Sequence, residues 1–178
     1  MAVVTIDGTD YRVGDDGVTH LNVYSQASTE LGRWLSNFTR TELDLPEGQF
    51  VSLEGYYHYL KIQQALTEHG HVPNNMLQRR IERLKQLTGK VAQTWGRDVK
   101  QQLLQLGLRT PNRPSDDTNR AFEAALLQKL ERNPEMAERL SLVLEDGVPL
   151  VHYYVLPDGT AFYKKRFDWL CERIYAVL

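Results

Sequence analysis

Apolar and polar positions along this chain follow two periods, and the switch between them separates short strands from longer helices. Over 50–62 the pattern is helical, with polar side chains confined to one line. Glu54, His58 and Lys61 define it, since positions i, i+4 and i+7 fall within about 60° of one another. Leu53, Tyr57 and Leu60 lie on one side of the line, while Tyr56, Tyr59 and Ile62 cover the back and the other side. A helix apolar nearly all round is normally buried, so its polar stripe must meet a partner or a pocket. Ser52 is the expected N-cap. It puts Glu54 in the first turn, where the helix dipole favours a carboxylate.

The other elements arrange themselves around that helix. Strand patterns at 3–6 and 11–13 are separated by Asp7-Gly8-Thr9-Asp10, a hairpin signal, and Asp15-Asp16-Gly17 adds a turn; 1–20 reads as an edge elaboration. Strands follow at 21–24 and, after the turn Pro46-Glu47-Gly48, at 49–51. Over 76–87 Leu77, Ile81, Leu84 and Leu87 share a helix face that Gly89 stops. Its basic residues Arg79, Arg80, Arg83 and Lys85 form a solvated face or, in the sharper reading, an anion site. Amphipathic helices at 121–130 and 134–144 meet at Asn133-Pro134. A β-branched and aromatic strand at 148–156 turns through Pro157-Asp158-Gly159 into 161–163. The end, 168–178, reads as an amphipathic helix with Cys171 packed as a small apolar residue. The expectation is an α+β fold: one mainly helical domain over 1–178 with a small antiparallel sheet and hairpins. The Pro-rich stretch 109–119 is short enough to be a loop within it.

Composition narrows the function classes. A length of 178 residues suffices for one substantial core. The net charge of −2 gives no general attraction to DNA or anionic membranes, although a local basic pocket is compatible with it. A single cysteine excludes an intrachain disulfide framework, and five scattered histidines show no ligand spacing, so no metal site is expected. Without a secretion signal or long apolar run, cytoplasmic residence is the default, with no membrane partner.

The candidate chemistry lies beside the striped helix. In Arg33-Trp34-Leu35-Ser36-Asn37-Phe38 large aromatics alternate with hydrogen-bonding groups, which suits a pocket wall that stacks a base and orients a sugar; the alternative is a core strand with Trp34 and Phe38 inward and Asn37 capping a turn. The stripe itself is compatible with a closed structural charge network. Ser36-Asn37-Phe38, then Ser52, Glu54, Tyr56, Tyr57 and Lys61, resembles the paired signature of the NADAR (YbiA-like) superfamily, S-N-F before S-x-E-x-Y-Y/F-x-x-x-K. Ala92, Gly96 and Arg97 resemble that family's A-K/R-x-x-G-R segment, with Gln93 departing from the basic residue, and Ala125, Leu126 and Lys129 resemble its A-L-x-x-K-F segment.

The resemblance implies an N-glycosidase that cleaves C–N bonds to ribose, in riboflavin-pathway intermediates or between ADP-ribose and a nucleobase, without metal or cofactor. Its substrate would be a phosphorylated ribosyl, nucleotide or ADP-ribosyl compound, and nucleic acid only if an ADP-ribosylated base is the target. Glu54 would be the key carboxylate. Trp34, Phe38, Tyr56 and Tyr57 would be the pool of walls, Ser36, Asn37 and His58 polar contacts, and Lys61, Arg97 and Lys129 phosphate holders. Gly96 would let backbone approach the ligand. The match spans most of 21–151 and fails beyond it. A tryptophan common upstream of the Lys129 segment is absent near Arg113-Pro114-Ser115. His152 stands where the family has glutamate, and Asp158 is the acid nearest the D-x-x-W-G ending. His152 and Asp158 therefore join Glu54 as catalytic candidates, with Tyr154 beside His152 in the pocket, His152 donating a hydrogen bond where glutamate would accept. Two other readings stand: an inactive nucleotide or ADP-ribose binding module, and a structural or interaction protein.

Overall fold

The computed structural model describes residues 2–112 and 114–166; the helix expected over 168–178, with Cys171, and Arg113 lie outside them. Among the described residues are six α-helices and seven short strands, an α+β fold in which helix predominates. The chain divides into two compact units, Met1–Ser36 with Asn133–Leu178, and Asn37–Arg132. One division falls inside the S-N-F segment.

In the first unit, strands β1 (Val3–Ile6) and β2 (Thr9–Arg12) form a hairpin through the two-residue turn Asp7-Gly8. Both turn residues have positive φ, +49° and +82°, which matches the turn's twist to that of the strands. Val4, Ile6 and Tyr11 face inward and pack on Val151 and Tyr153 of β6 (Leu150–Val155). The hairpin is therefore half of a core, not the edge elaboration its position suggests. Strand β6 is central in the order β3-β6-β7, with β3 (Leu21–Asn22) parallel to it and β7 (Ala161–Arg166) antiparallel. The parallel pair departs from the expected antiparallel sheet; β3 and β6 are far apart in sequence, so no hairpin turn constrains their direction.

Strand β3 is shorter than the run over 21–24. The Asn22 carboxamide extends it by mimicking a backbone unit: Nδ2 donates to the Tyr153 carbonyl at 3.2 Å and Oδ1 accepts from the Tyr153 N–H at 3.1 Å. Helix α1 (Glu30–Leu35) starts at Thr29, whose hydroxyl accepts from the Gly32 N–H at 3.0 Å. Trp34 thus lies on a helix rather than a strand. Its segment is helical because the cap at Thr29 is followed by Leu31 and Leu35, buried one turn apart. Arg139 of α6 (Pro134–Glu145) pairs with Glu30 of α1 at 2.8 Å.

The second unit is built on α2 (Leu53–Glu68), against which pack β5 (Gly48–Phe50), α3 (Asn75–Glu82), α4 (Gly89–Gln105) and α5 (Asp116–Glu131). Strand β5 pairs with β4 (Leu43–Leu45) across Pro46-Glu47. Ser52 caps α2 as its sequence position predicts: its hydroxyl accepts from the Gly55 N–H at 3.1 Å and donates to the Leu87 carbonyl at 2.7 Å. The helix expected over 76–87 tightens after Glu82 into a 3-10 turn, Arg83–Gln86, and Gly89, with φ +55°, opens α4 instead of closing α3. That turn carries the Leu84 carbonyl onto the first turn of α2. A Cβ on Gly55 would stand 2.4 Å from it.

Because the clashing atom is backbone and cannot rotate away, Gly55→Ala must move the turn. We expect a loss of about 1–3 kcal/mol in urea unfolding, as for other overpacked sites. An unchanged midpoint would mean that this contact does not hold α2.

Candidate functional site

The stripe on α2 is inside the second unit. Glu54, His58 and Lys61 are 8 %, 5 % and 9 % exposed. The Glu54 N–H donates to the Asn37 carbonyl at 3.0 Å, so the turn after α1 satisfies one of the free amides at the start of α2. His58 Nε2 lies 3.2 Å from Glu54 Oε1. With a charged carboxylate as acceptor, Nε2 carries the proton, and Nδ1 is then buried without a hydrogen-bond partner inside the protein.

Gly96 explains how the ring reaches that position. A Cβ on residue 96 would lie 2.2 Å from His58 Cγ and 2.6 Å from Nδ1. The expected close approach at Gly96 is therefore to His58, not to a ligand. Any side chain there would displace the imidazole and with it the partner of Glu54.

Lys61 does not close a network with the other two. Its Nζ stands 5.6 Å from the centre of the Tyr57 ring, and Lys100 of α4 stands 5.7 Å from the same ring. Tyr57 is half-buried and packs edge-on against Phe122 of α5, ring centres 5.6 Å apart. Burial pushes the Lys61 ammonium below its usual range. Burial, then the charge of Lys61, push Lys100 down to about 8, with Arg97 acting in the same direction and Glu54 opposing. Burial and then Glu54 raise the Tyr57 phenol. One carboxylate thus faces a crowded set of cations, and an arriving anion would relieve their mutual repulsion.

Lys100 is the member of this group that the motif reading missed. The signal was present: Ala92, Gly96, Val99 and Leu103 are the buried line of α4, and Lys100 follows Gly96 by one turn.

Other expected residues fall elsewhere. Tyr56 is a core residue, with its hydroxyl donating to Glu47 Oε2 at 2.9 Å and its ring packed edge-on against Phe50, because one residue along a helix rotates it about 100° from Tyr57. Lys129, expected to hold phosphate, is 0 % exposed, and burial drives its ammonium down to about 7. With no exposed surface it cannot meet a phosphate unless α5 opens. Arg97 stays with the stripe, exposed on α4 with its charge reaching Lys100, while half-buried Phe38 packs beside Gly89.

Trp34, Ser36, His152, Tyr154 and Asp158 belong to the first unit. Trp34 is half-buried on α1, and buried Ser36 ends that helix, its N–H donating to the Arg33 carbonyl at 3.3 Å. His152 and Tyr154 share a face of β6, ring centres 5.0 Å apart, and both rings meet Tyr24 edge-on. His152 Nδ1 donates to the Val23 carbonyl at 2.6 Å, which places a proton on that nitrogen. Asp158 is exposed at the tip of the β6–β7 hairpin, where its carboxylate accepts from the Thr160 N–H at 2.9 Å and is held below its usual range by that contact. It serves the turn, in open water rather than in a walled site.

No family model, curated protein or solved structure matches this chain. Among the described residues no helix is long and apolar enough to cross a membrane, and no three His, Cys, Asp or Glu side chains are grouped to hold a metal ion.

The lowered Lys100 value has a stability consequence. In the folded state Lys100 titrates near 8, below its unfolded value of 10.5, so between those pH values the unfolded chain binds more protons and stability rises with pH. Lys100→Met is expected to remove that part of the rise and to stabilise the protein at neutral pH. Urea unfolding of both proteins across the window checks it; parallel curves would mean that Lys100 is not buried as an ammonium.

Proposed function

We propose that this chain is an N-glycosidase that hydrolyses a C–N ribosidic bond in a nucleotide-like or ADP-ribosylated substrate, with Glu54 as its key carboxylate. The observation that carries the reading is the buried Glu54–His58 pair at the start of α2, next to the two lysines that share the Tyr57 ring. Breaking an N-riboside bond builds positive charge on the anomeric carbon, and a fixed carboxylate stabilises that charge. The bonding electrons leave with the nitrogen. Water adds its oxygen to the anomeric carbon and gives its proton to Glu54, which passes it on to that nitrogen and returns to the carboxylate form. His58 is a positioning residue that holds one carboxylate oxygen through Nε2–H. Lys61, Lys100 and Arg97 hold the phosphate, and Tyr57 with Phe122 walls the sugar from water. The likeness of the Ser36–Lys61 segment to the NADAR signature supports this class of reaction.

A second reading, a nucleotide or ADP-ribose binding module without turnover, is favoured by Asp158. The acid nearest the family's C-terminal motif is engaged in an exposed turn, so a second catalytic carboxylate is not provided there.

Glu54→Gln keeps the size of the side chain and an oxygen acceptor for His58. Under the first reading it lowers turnover of an ADP-ribosylated base or ribosyl phosphate at least roughly 100-fold, the usual scale for a lost electrostatic stabiliser, with little change in melting temperature. Thermal shift with ADP-ribose but no turnover by the unaltered protein would select the second reading. A large fall in melting temperature with turnover intact would make the stripe structural.

A further inference from the structure

Away from the Glu54 stripe, α3 and α4 border a groove of about 520 Å³ lined by Asn75, Met76, Arg79, Arg80, Arg83 and Trp95. Met76, Arg79, Arg80 and Arg83 recur at three- and four-residue intervals, so one face of α3 and the following turn supplies the cations. Adjacent residues of α4 serve the two places: Trp95 faces the arginines while Gly96 lies under His58. The groove and the stripe are thus on different sides of α4.

The charge of the groove is not neutralised locally. Five basic residues and one acid occupy 75–90 in a chain of net charge −2. The acid, Glu82, is engaged by Lys85 at 2.7 Å and Gln78 at 3.0 Å. Arg79 and Arg83 are exposed and make no ion pair among the described residues. Arg80 is held in place by Trp95: its guanidinium lies 5.1 Å from the ring centre, the indole N–H donates to the Arg80 carbonyl at 2.8 Å, and Nε is buried without a partner. Beside these cations Met76 is 62 % exposed, an apolar side chain left in water.

We infer that this groove binds a nucleotide through its phosphate, whether free or at the end of a single-stranded oligonucleotide. Three guanidinium forks fit phosphate oxygens better than point charges would, and a guanidinium already stacked on an indole offers a flat surface to a base. Met76 and Trp95 supply the sequence-tolerant apolar contact on which bases settle, and the volume suits one nucleotide unit. The overall negative charge then keeps attraction local to this face.

The test is fluorescence anisotropy with two labelled probes, an ADP analogue and a short 5′-phosphorylated oligothymidylate, over a series of salt concentrations. Two to three phosphate contacts predict a slope of log K against log salt near −2, at about −0.7 per contact on a single strand. The double substitution Arg79→Glu with Arg83→Glu should weaken binding at least roughly tenfold and flatten the slope, with the melting temperature unchanged. Arg79→Gln alone should reduce the slope by roughly one contact and supplies the same reading should the double variant melt early. Under the glycosidase reading the ADP analogue also occupies the stripe, so the arginine variants should lose the oligothymidylate while keeping turnover of an ADP-ribosylated base, and failure of the glycosidase reading would leave the oligothymidylate result intact. The relative affinity of the two probes assigns the groove to a free nucleotide or a strand end. The inference falls if neither probe binds, if binding is lost in Lys100→Met but kept in the arginine variants, or if polyglutamate competes as well as the oligonucleotide does.

Discussion

The packing of His58 on Gly96 is the contact on which the candidate site depends. Two helices approach so closely there that the imidazole occupies the volume of the missing side chain. That approach turns Nε2 toward Glu54 and leaves Nδ1 covered by α4. It also sets Lys100, one turn further along α4, against the same tyrosine as Lys61. A larger residue at 96 would separate the helices or expel the ring, and in either case the carboxylate would lose its partner and the lysines their shared aromatic surface. The unpaired buried nitrogen is costly, on the order of 1–3 kcal/mol for a group of this kind. A fold that carries such a cost inside a helix pair is holding its carboxylate in one orientation.

The same helix is fixed at its other constraint, the N-terminus. Ser52 bonds both backward to Leu87 and forward to Gly55, Asn37 supplies a carbonyl to Glu54, and the Leu84 carbonyl presses on Gly55. Short polar residues and a glycine thereby anchor the first turn from three directions. The likeness of the Ser36–Lys61 segment to a family signature acquires a physical content from these contacts: part of the motif builds the entry of the helix, and part projects from it. Tyr56 belongs to the former, since its ring and hydroxyl are spent on Phe50 and Glu47. Tyr57 belongs to the latter.

In the first unit, a short parallel pair is stabilised by one side chain. Asn22 continues the ladder where β3 has ended, and Tyr153, whose backbone it binds, turns its ring into the core with its hydroxyl 2.9 Å from His20 Nε2. The opposite face of β6 then carries His152 and Tyr154 against Tyr24. The hydrogen bond from His152 to the Val23 carbonyl ties that face to the backbone just beyond β3.

What the sequence determined by itself is local and periodic. The line Glu54, His58, Lys61, the cap at Ser52, the hairpin turn within Asp7-Gly8-Thr9-Asp10 and the helix beginning at Pro134 all arise from residues within a turn or two of one another, where propensity, capping and spacing act without help; the helix expected over 121–130 starts instead at Asp116, inside the stretch expected to be a loop, where Ser115 caps it by accepting from the Thr118 N–H. Tertiary structure decided which neighbour each face meets. Gly96 lies on the buried line of α4 and Lys100 one turn beyond it, yet nothing in that pattern says the line faces His58 rather than a ligand. The parallel direction of β3, the tightening of α3 into a 3-10 turn, the burial of Lys129 and the core role of Tyr56 likewise rest on contacts between residues far apart in the chain. Periodicity specifies that a face is buried; only close packing, which admits one arrangement of the actual side-chain volumes, specifies against what.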